Sequence, residues 1–420
     1  MQRLAGIEAI GFYGGSAYVD VAELARYRGL DNERFENLLM REKSVALPYE
    51  DPVSFAVNAA KPLVDALDED QRRRIELLIT CTESGIDFGK SLSTYVHDHL
   101  GLSRNCRLFE VKSACFSGTA GYQTALSHVL SGVSPGAKAL VVTTDMARFR
   151  VAEGSDAHAE DWSFAEPSGG AGAVAMLVGD NPHVFAADVG AYGSYGYEVM
   201  DTCRPVPDSE SGNADLSLMS YLDCCEAAFR EYAKRVEGAT YSDTFDYLSF
   251  HTPFGGMVKG AHRTMMRRLA KAKAPLVEAD FERRVAPGLA YCQRVGNIMG
   301  GTVFLNLLST IANGDFTEPR RLGVFSYGSG CCSEFYSGVA TPESQRRVRE
   351  QAVAAALDTR YALDVEEYLQ LMKENDAVAF GTRDVELRLD LVPGARGAIE
   401  GRGRLVLRRI SEFHREYEWI

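Results

Sequence analysis

Several side chains along this sequence have the types and settings that acyl-transfer and carbon–carbon chemistry needs. Cys115 sits in Lys112-Ser-Ala-Cys-Phe-Ser-Gly-Thr-Ala-Gly, crowded by small residues, with a helix expected just beyond. A cysteine at a helix N-terminus has its thiolate stabilised by the dipole and the unpaired N–H groups of the first turn. Small neighbours let a substrate approach closely. Taken alone, the same residue fits a buried inert thiol equally well. Glu83, in Thr82-Glu-Ser-Gly-Ile-Asp, directly follows an apolar run. A carboxylate there faces a cleft and suits general acid–base work; a loop or capping carboxylate is the plainer alternative. His251 ends another apolar run, in Phe250-His-Thr-Pro-Phe-Gly-Gly-Met-Val-Lys-Gly-Ala-His. It could donate a hydrogen bond to a carbonyl or balance a thiolate, or be a satisfied core histidine. Lys259 follows eight residues later, where it could meet a phosphate or stand as a surface lysine. Asn297, in Val295-Gly-Asn-Ile-Met-Gly-Gly-Thr, and Gly328 with Ser329, in Ser326-Tyr-Gly-Ser-Gly, occupy glycine-rich turns. Such turns aim N–H groups or an amide at an oxyanion, or are simply tight turns. Together these groups supply a nucleophilic thiol, a base for an α-proton and donors for developing oxyanions.

The elements that must position them alternate. Continuous apolar runs at Ile75–Cys81, Ala139–Thr144, Ala173–Val178, His183–Val189, Tyr247–Phe250 and Leu322–Tyr327 read as strands covered on both faces. Helical patterns at Pro52–Leu67, Gly121–Leu130, Ser217–Val236, Gly301–Ala312 and Ser344–Ala356 separate them, which predicts an α/β protein. There is an internal echo. One strand in each half ends in a chemical group, ITCTES and LSFHTP, and a later one in a small polar turn, VVTTDMA and VFSYGSG. The echo fits either a duplicated unit or chance. The tail from Asp384 reads as a hairpin turned at Pro393–Gly394 or nearby glycines.

Composition narrows the rest. A chain of 420 residues, 46% hydrophobic and 25% charged, suits two fused domains or one large layered one. A net charge of −13 argues against general nucleic-acid binding. No basic-then-apolar leader and no apolar run of roughly 18 residues is present, so a cytoplasmic location without membrane insertion is expected. Nine scattered cysteines, odd in number and without a C-x-x-C pair, argue against a disulfide framework or a zinc site. The neighbours Cys224–Cys225 and Cys331–Cys332 read as ordinary packing.

In order along the chain, TCTESGID, SACFSGTAG, TTDMARF, AEPSGGAGAVAML, EVMDTCRP, FHTPFGGMVKGAH, VGNIMGG and SYGSG resemble the motifs of the 3-hydroxy-3-methylglutaryl-CoA synthase family. The resemblance implies a thiolase-like layered αβαβα fold with two quasi-repeated halves, taken as residues 1–180 and 181–420. It implies that Cys115 is acetylated, that Glu83 moves the acetyl methyl proton and that His251 orients and polarises the acceptor carbonyl. Asn297, Gly328 and Ser329 match oxyanion and substrate contacts, and Lys259 matches a lysine that meets the pantetheine-bearing partner. No permanently bound cofactor or metal is implied; phosphopantetheine arrives on carrier proteins or as CoA. A homodimer is implied.

FHTPFGGMVKGAHR, MDTCRPVPDSESG and ADLSLMSYLDC look like the β-branching enzymes of bacterial polyketide pathways. Primary-metabolism members usually have aromatic residues where Thr202 and Cys203 stand, and often a tyrosine near Met299, so these departures point away from acetoacetyl-CoA as acceptor. The branch implies acetyl on a donor acyl carrier protein and a β-ketoacyl chain on an acceptor carrier. Carriers are typically acidic, so docking on a chain of charge −13 needs a local basic face. Arg263, Arg267, Arg268, Lys271 and Lys273, beside Lys259, form the densest one, and Arg34, Arg41 and Lys43 a second. Three rivals stand beside this reading: an HMG-CoA synthase using acetyl-CoA, a decarboxylative β-ketoacyl synthase, and a non-catalytic carrier scaffold. Glu83 argues against the second, whose chemistry usually relies on His/Asn or His/His pairs. The joint presence of Cys, Glu and His argues against the third.

Overall fold

The computed structural model describes residues 4–148, 165–206 and 209–420; Phe149 of TTDMARF, Pro207 and Asp208 of MDTCRPVPDSESG and the side chain of Arg34 lie outside the described residues. A nine-stranded sheet runs through the chain. Its strands are β1 (Gly6–Tyr13), β2 (Ile75–Cys81), β3 (Arg107–Val111), β4 (Lys138–Met146), β5 (Ala171–Gly179), β6 (Phe185–Gly196), β7 (Tyr247–Phe250), β8 (Arg320–Gly328) and β9 (Cys332–Ala340). They lie in the order β7-β8-β9-β6-β1-β5-β4-β2-β3.

The pairing pattern repeats. β2 is parallel to β4, β4 antiparallel to β5, and β5 antiparallel to β1. In the same way β7 is parallel to β8, β8 antiparallel to β9, and β9 antiparallel to β6. The pairs Gly6↔Ala186 and Ile7↔Phe185 join the two repeats through β1 and β6.

Helices α1 (Pro52–Asp65), α2 (Ser117–Ser131), α3 (Ala214–Arg235), α4 (Gly255–Leu269) and α5 (Thr302–Asn313) cover the strands. Side-chain alternation along the strands sorts the core into layers. Ile79, Cys81 and Val141 of the first repeat and Leu322 and Val324 of the second meet Tyr122 of α2 and Phe304 of α5 in one buried cluster. The Tyr122 and Phe304 rings stand edge to face, 5.7 Å apart, and tie the two inner helices together. Leu78, Leu140 and Val142 turn the other way, onto Phe55 and Val57 of α1. Phe250, Phe325 and Phe335 turn onto Phe229 of α3 and Val258 of α4. Burying each such side chain stabilises by about 1.5–3 kcal/mol. The outcome is helix, sheet, helix, sheet, helix, the expected αβαβα layering. The start of α1 is set locally: Asp51 accepts from Ser54 N, the Ser54 hydroxyl accepts from Asp51 N, and Pro52 opens the helix.

Several boundaries differ from expectation. α2 begins at Ser117 rather than Gly121, because the small residues that read as a turn are helical and packed. A Cβ at Gly118 would lie 2.2 Å from Gly300 O, and one at Gly121 2.4 Å from Cys81 Sγ. β6 continues to Gly196 rather than ending at Val189, since glycine admits α3 against the strand: a Cβ at Gly193 would lie 2.1 Å from Tyr232 N. The run Ser344–Ala356 is broken at Ala352, φ 49, into helices Pro342–Glu350 and Val353–Asp358. The tail hairpin is corrected too. Pro393–Ala398 is a short 3-10 helix, and the hairpin pairs Leu405–Ser411 with His414–Trp419, turning at Glu412 and Phe413 with φ 47 and 68. Among the described residues no helix is long and apolar enough to cross a membrane. No disulfide joins any of the nine cysteines. Cys224 faces Cys331, sulfur to sulfur at 3.5 Å.

Candidate active site

The internal echo is the structural repeat. Glu83 lies just beyond β2 and His251 just beyond β7, the equivalent strands of the two repeats. Cys115 and Asn297 occupy the turns ahead of α2 and α5, the equivalent inner helices.

Cys115 Sγ donates toward Glu83 Oε1 at 3.5 Å. Glu83 Oε2 lies 3.4 Å from Arg204 Nε, and the two side chains are 15% and 16% exposed. The backbone under Glu83 is clamped by one carboxylate oxygen. Asp145 Oδ1, near the end of β4, accepts from Glu83 N at 2.9 Å, Ser84 N at 3.0 Å and Thr82 Oγ1 at 2.9 Å. Burial, and then the neighbouring Glu83 carboxylate, push the Asp145 carboxyl up to about 7, against the pull of Arg204. Its Oδ2 is buried without a hydrogen-bond partner.

The turn carrying Cys115 is sharp. Ala114 takes φ 44, a left-handed conformation that costs an L-residue on the order of 1 kcal/mol. Gly328 ends β8 against this turn: a Cβ there would lie 2.5 Å from Phe116 N and 2.8 Å from Ser113 O. Only glycine lets the two backbones come so close. Asp201 then holds the segment after β8. The Tyr327 hydroxyl donates to its Oδ2 at 2.6 Å and Gly330 N–H to its Oδ1 at 2.9 Å, with half-buried Ser329 between. From the other inner helix, Asn297 Oδ1 accepts from Met299 N at 3.0 Å and Thr302 Oγ1 at 2.9 Å. That bonding fixes the amide plane.

His251 is buried. Its backbone N–H donates to Phe325 O at 2.8 Å and its backbone carbonyl accepts from the Tyr221 hydroxyl at 2.6 Å. Burial pushes the imidazole down to about 3, so it is neutral at physiological pH. A neutral imidazole can still donate a hydrogen bond to a carbonyl. Balancing a thiolate needs the charged form, which the same burial disfavours.

α4 starts four residues after His251, at Gly255, and carries the expected basic residues. Lys259 Nζ pairs with Glu278 Oε1 at 2.5 Å, and Arg268 Nη1 with Glu226 Oε2 at 2.7 Å. Arg263 and Arg267 are exposed. The helix Asn32–Leu38 packs against the start of α4, where a Cβ on Gly256 would meet Asn37 O at 1.8 Å. The second basic patch loses Lys43, which is buried, donates to Glu166 O, and is pushed down to about 8 by burial.

The structure thus gathers Glu83, Cys115, Gly328 and Ser329, with the strand of His251 and the turn of Asn297 alongside. Residue-by-residue reading missed Asp145, Arg204 and Asp201. All of them stand inside TTDMARF and EVMDTCRP, and Asp145 closes an apolar run just as Glu83 follows one.

Residues 2–183 match the family model described as hydroxymethylglutaryl-coenzyme A synthase N terminal, and residues 262–387 the one described as its C terminal. The chain belongs to the hydroxymethylglutaryl-CoA synthase family. Within that family it is 66% identical over 416 residues to the polyketide biosynthesis 3-hydroxy-3-methylglutaryl-ACP synthase PksG of Bacillus subtilis, covering 99% of each chain. It is 31% identical over 372 residues to the hydroxymethylglutaryl-CoA synthase of Enterococcus faecalis, covering 88% of this chain and 91% of that one. The curacin biosynthetic pathway HMG synthase, solved in complex with acetyl donor-ACP, superposes with a TM-score of 0.96 at 63% identity, covering 100% of both chains.

Proposed function

We propose that this chain is a β-branching condensing enzyme of polyketide biosynthesis. It takes an acetyl unit from a donor acyl carrier protein and adds it to the β-ketone of an intermediate on an acceptor carrier protein. The product is a β-hydroxy, β-carboxymethyl acyl chain. The Cys115 thiolate attacks the acetyl thioester and expels the carrier thiol, which stores the two-carbon unit beside the base. Glu83 removes a methyl proton. The enolate carbon attacks the ketone, whose new alkoxide takes a proton from Glu83. Water then cleaves the Cys115 thioester and leaves a carboxylate.

His251, as a neutral donor, polarises the acceptor ketone, and Asn297 with the backbone at Gly328 and Ser329 supports the developing oxyanions. Lys259, Arg263, Arg267 and Arg268 meet the carriers, whose phosphopantetheine arms belong to the substrates. Residues 1–180 supply Glu83 and Cys115, and residues 181–420 supply the acceptor side. The chain works as a homodimer in the cytoplasm. β3, which pairs only with β2 among the described residues, is an open sheet edge suited to a second copy.

The observation that carries this reading is the approach of the Cys115 sulfur to the Glu83 carboxylate, 3.5 Å. Higher identity to a relative named for ACP, 66%, than to one named for CoA, 31%, favours carriers over free CoA. The test combines acetyl-donor carrier, acetoacetyl-acceptor carrier and enzyme, followed by mass analysis of the acceptor. Gain of an acetyl unit plus water on the acceptor supports the reading. Product formed only from acetyl-CoA and acetoacetyl-CoA replaces it with the primary-metabolism activity.

A further inference from the structure

We infer that Arg204 is the positioning residue that keeps the Glu83 carboxylate aimed at the acetyl group once Cys115 has been acylated. The inference rests on the reading of Glu83 as the base. Asp145 clamps the backbone on either side of Glu83, but a backbone clamp leaves the side-chain torsions of a glutamate open. The carboxylate itself has two side-chain contacts among the described residues, Cys115 Sγ on Oε1 and Arg204 on Oε2. Acetylation replaces the S–H bond by an S–C bond and removes the donor on Oε1. At the moment when the methyl proton must leave, the Arg204 contact on Oε2 is the one that remains.

The guanidinium suits that task. It is planar and permanently charged, and its donors are held in a fixed fork. It also offsets the negative charge of two carboxyl groups, Glu83 and Asp145, packed side by side in a largely buried site. Its place in the fold adds a second link. Arg204 lies on the strand Thr202–Val206, which follows Asp201, the residue that grips the Tyr327–Gly330 segment. One short stretch of chain therefore holds both the base and the loop beside the acyl sulfur.

The experiment compares wild type with Arg204→Gln and Arg204→Lys in two readouts. The first is acetylation of Cys115 by acetyl-donor carrier, followed by intact mass. The second is uptake of deuterium from heavy water into the methyl of the acetyl-enzyme. Arg204→Gln is expected to load acetyl at close to the wild-type rate while methyl exchange and condensation fall about 10²-fold. Arg204→Lys, which keeps the charge and loses the fork, is expected to fall about tenfold in exchange with loading intact. Wild-type exchange in Arg204→Gln overturns the proposal, and so does an equal fall in loading and exchange. Where the glutamine variant does not fold, the lysine variant decides by the same criteria. Failure of the wild-type enzyme to acetylate at all would instead overturn the reading of Cys115, whatever the variants do.

Discussion

Gly328→Ala is the sharpest probe of how the second repeat supports the thiol of the first. The added Cβ would lie 2.5 Å from Phe116 N, 2.7 Å from Phe116 Cβ and 2.8 Å from Ser113 O, where ordinary contact begins at 3.4 Å. The φ of Gly328 is not positive, so the effect is steric rather than conformational. Two of the three neighbours are backbone atoms and cannot swing away. Relief therefore needs a separation of about 0.9 Å between β8 and the Cys115 turn. β8 is held by continuous register pairing with β9 from Arg320 to Gly328, so the turn is the side that gives way. A displacement of about 1 Å at a reacting atom costs on the order of 10²-fold in rate. The overpacking itself costs about 1–3 kcal/mol. The assay is rapid-mixing acetylation of Cys115 read by intact mass, with a thermal melt as control. A folded alanine variant that acetylates at the wild-type rate would refute the claim that Gly328 positions this turn.

Other outcomes follow from the same geometry. Glu83→Gln keeps the shape and removes the base, so acetyl-Cys115 forms while condensation falls by about 10²- to 10⁴-fold; parallel loss of both steps in single-turnover kinetics contradicts the assigned role. Arg263→Glu with Arg267→Glu should raise KM for the carrier severalfold at low salt, with the gap closing at high salt as screening grows. Salt-independent kinetics would remove these residues from the docking face. Glu334 is pushed up to about 7 from 4.5 by burial, with Gln123 and Ser194 donating to it. Because the folded value lies above the unfolded one, its stabilising contribution is full below pH 4.5 and is lost as pH rises through 7. Glu334→Gln should therefore gain on wild type by up to about 3 kcal/mol between pH 4.5 and 8 in denaturant titrations. A constant difference across that range would count against the buried acid.

Much of the fold was legible because buried strands advertise themselves as apolar runs, and most such runs here are strands. What stayed hidden has physical causes. β1, β3 and β9 mix glycine, charge or serine into segments whose partners decide their state. The start of α2 and the end of β6 look like turns because their glycines serve close packing rather than bends. The true tail hairpin turns on Glu412 and Phe413, residue types that carry no turn signal, while the Pro393–Gly394 signal belongs to a 3-10 helix. In the site, Cys115, Glu83 and His251 were candidates by type and setting, and the equivalence of β2, which Glu83 follows, with β7, which His251 follows, explains the echo. Asp145, Arg204 and Asp201 were not. Their work is to hold other groups, and a holding role has no signature until the partner is in view. The neutral state of His251 likewise follows from burial that only the fold supplies.

The most direct test of the account is to weigh the intact protein after separate exposure to acetyl-carrier protein and to acetyl-CoA, with Cys115→Ala as control. An acetyl adduct on Cys115 is expected, formed faster from the carrier and absent in the alanine variant. An adduct that persists in Cys115→Ala, or no adduct from either donor, would contradict it.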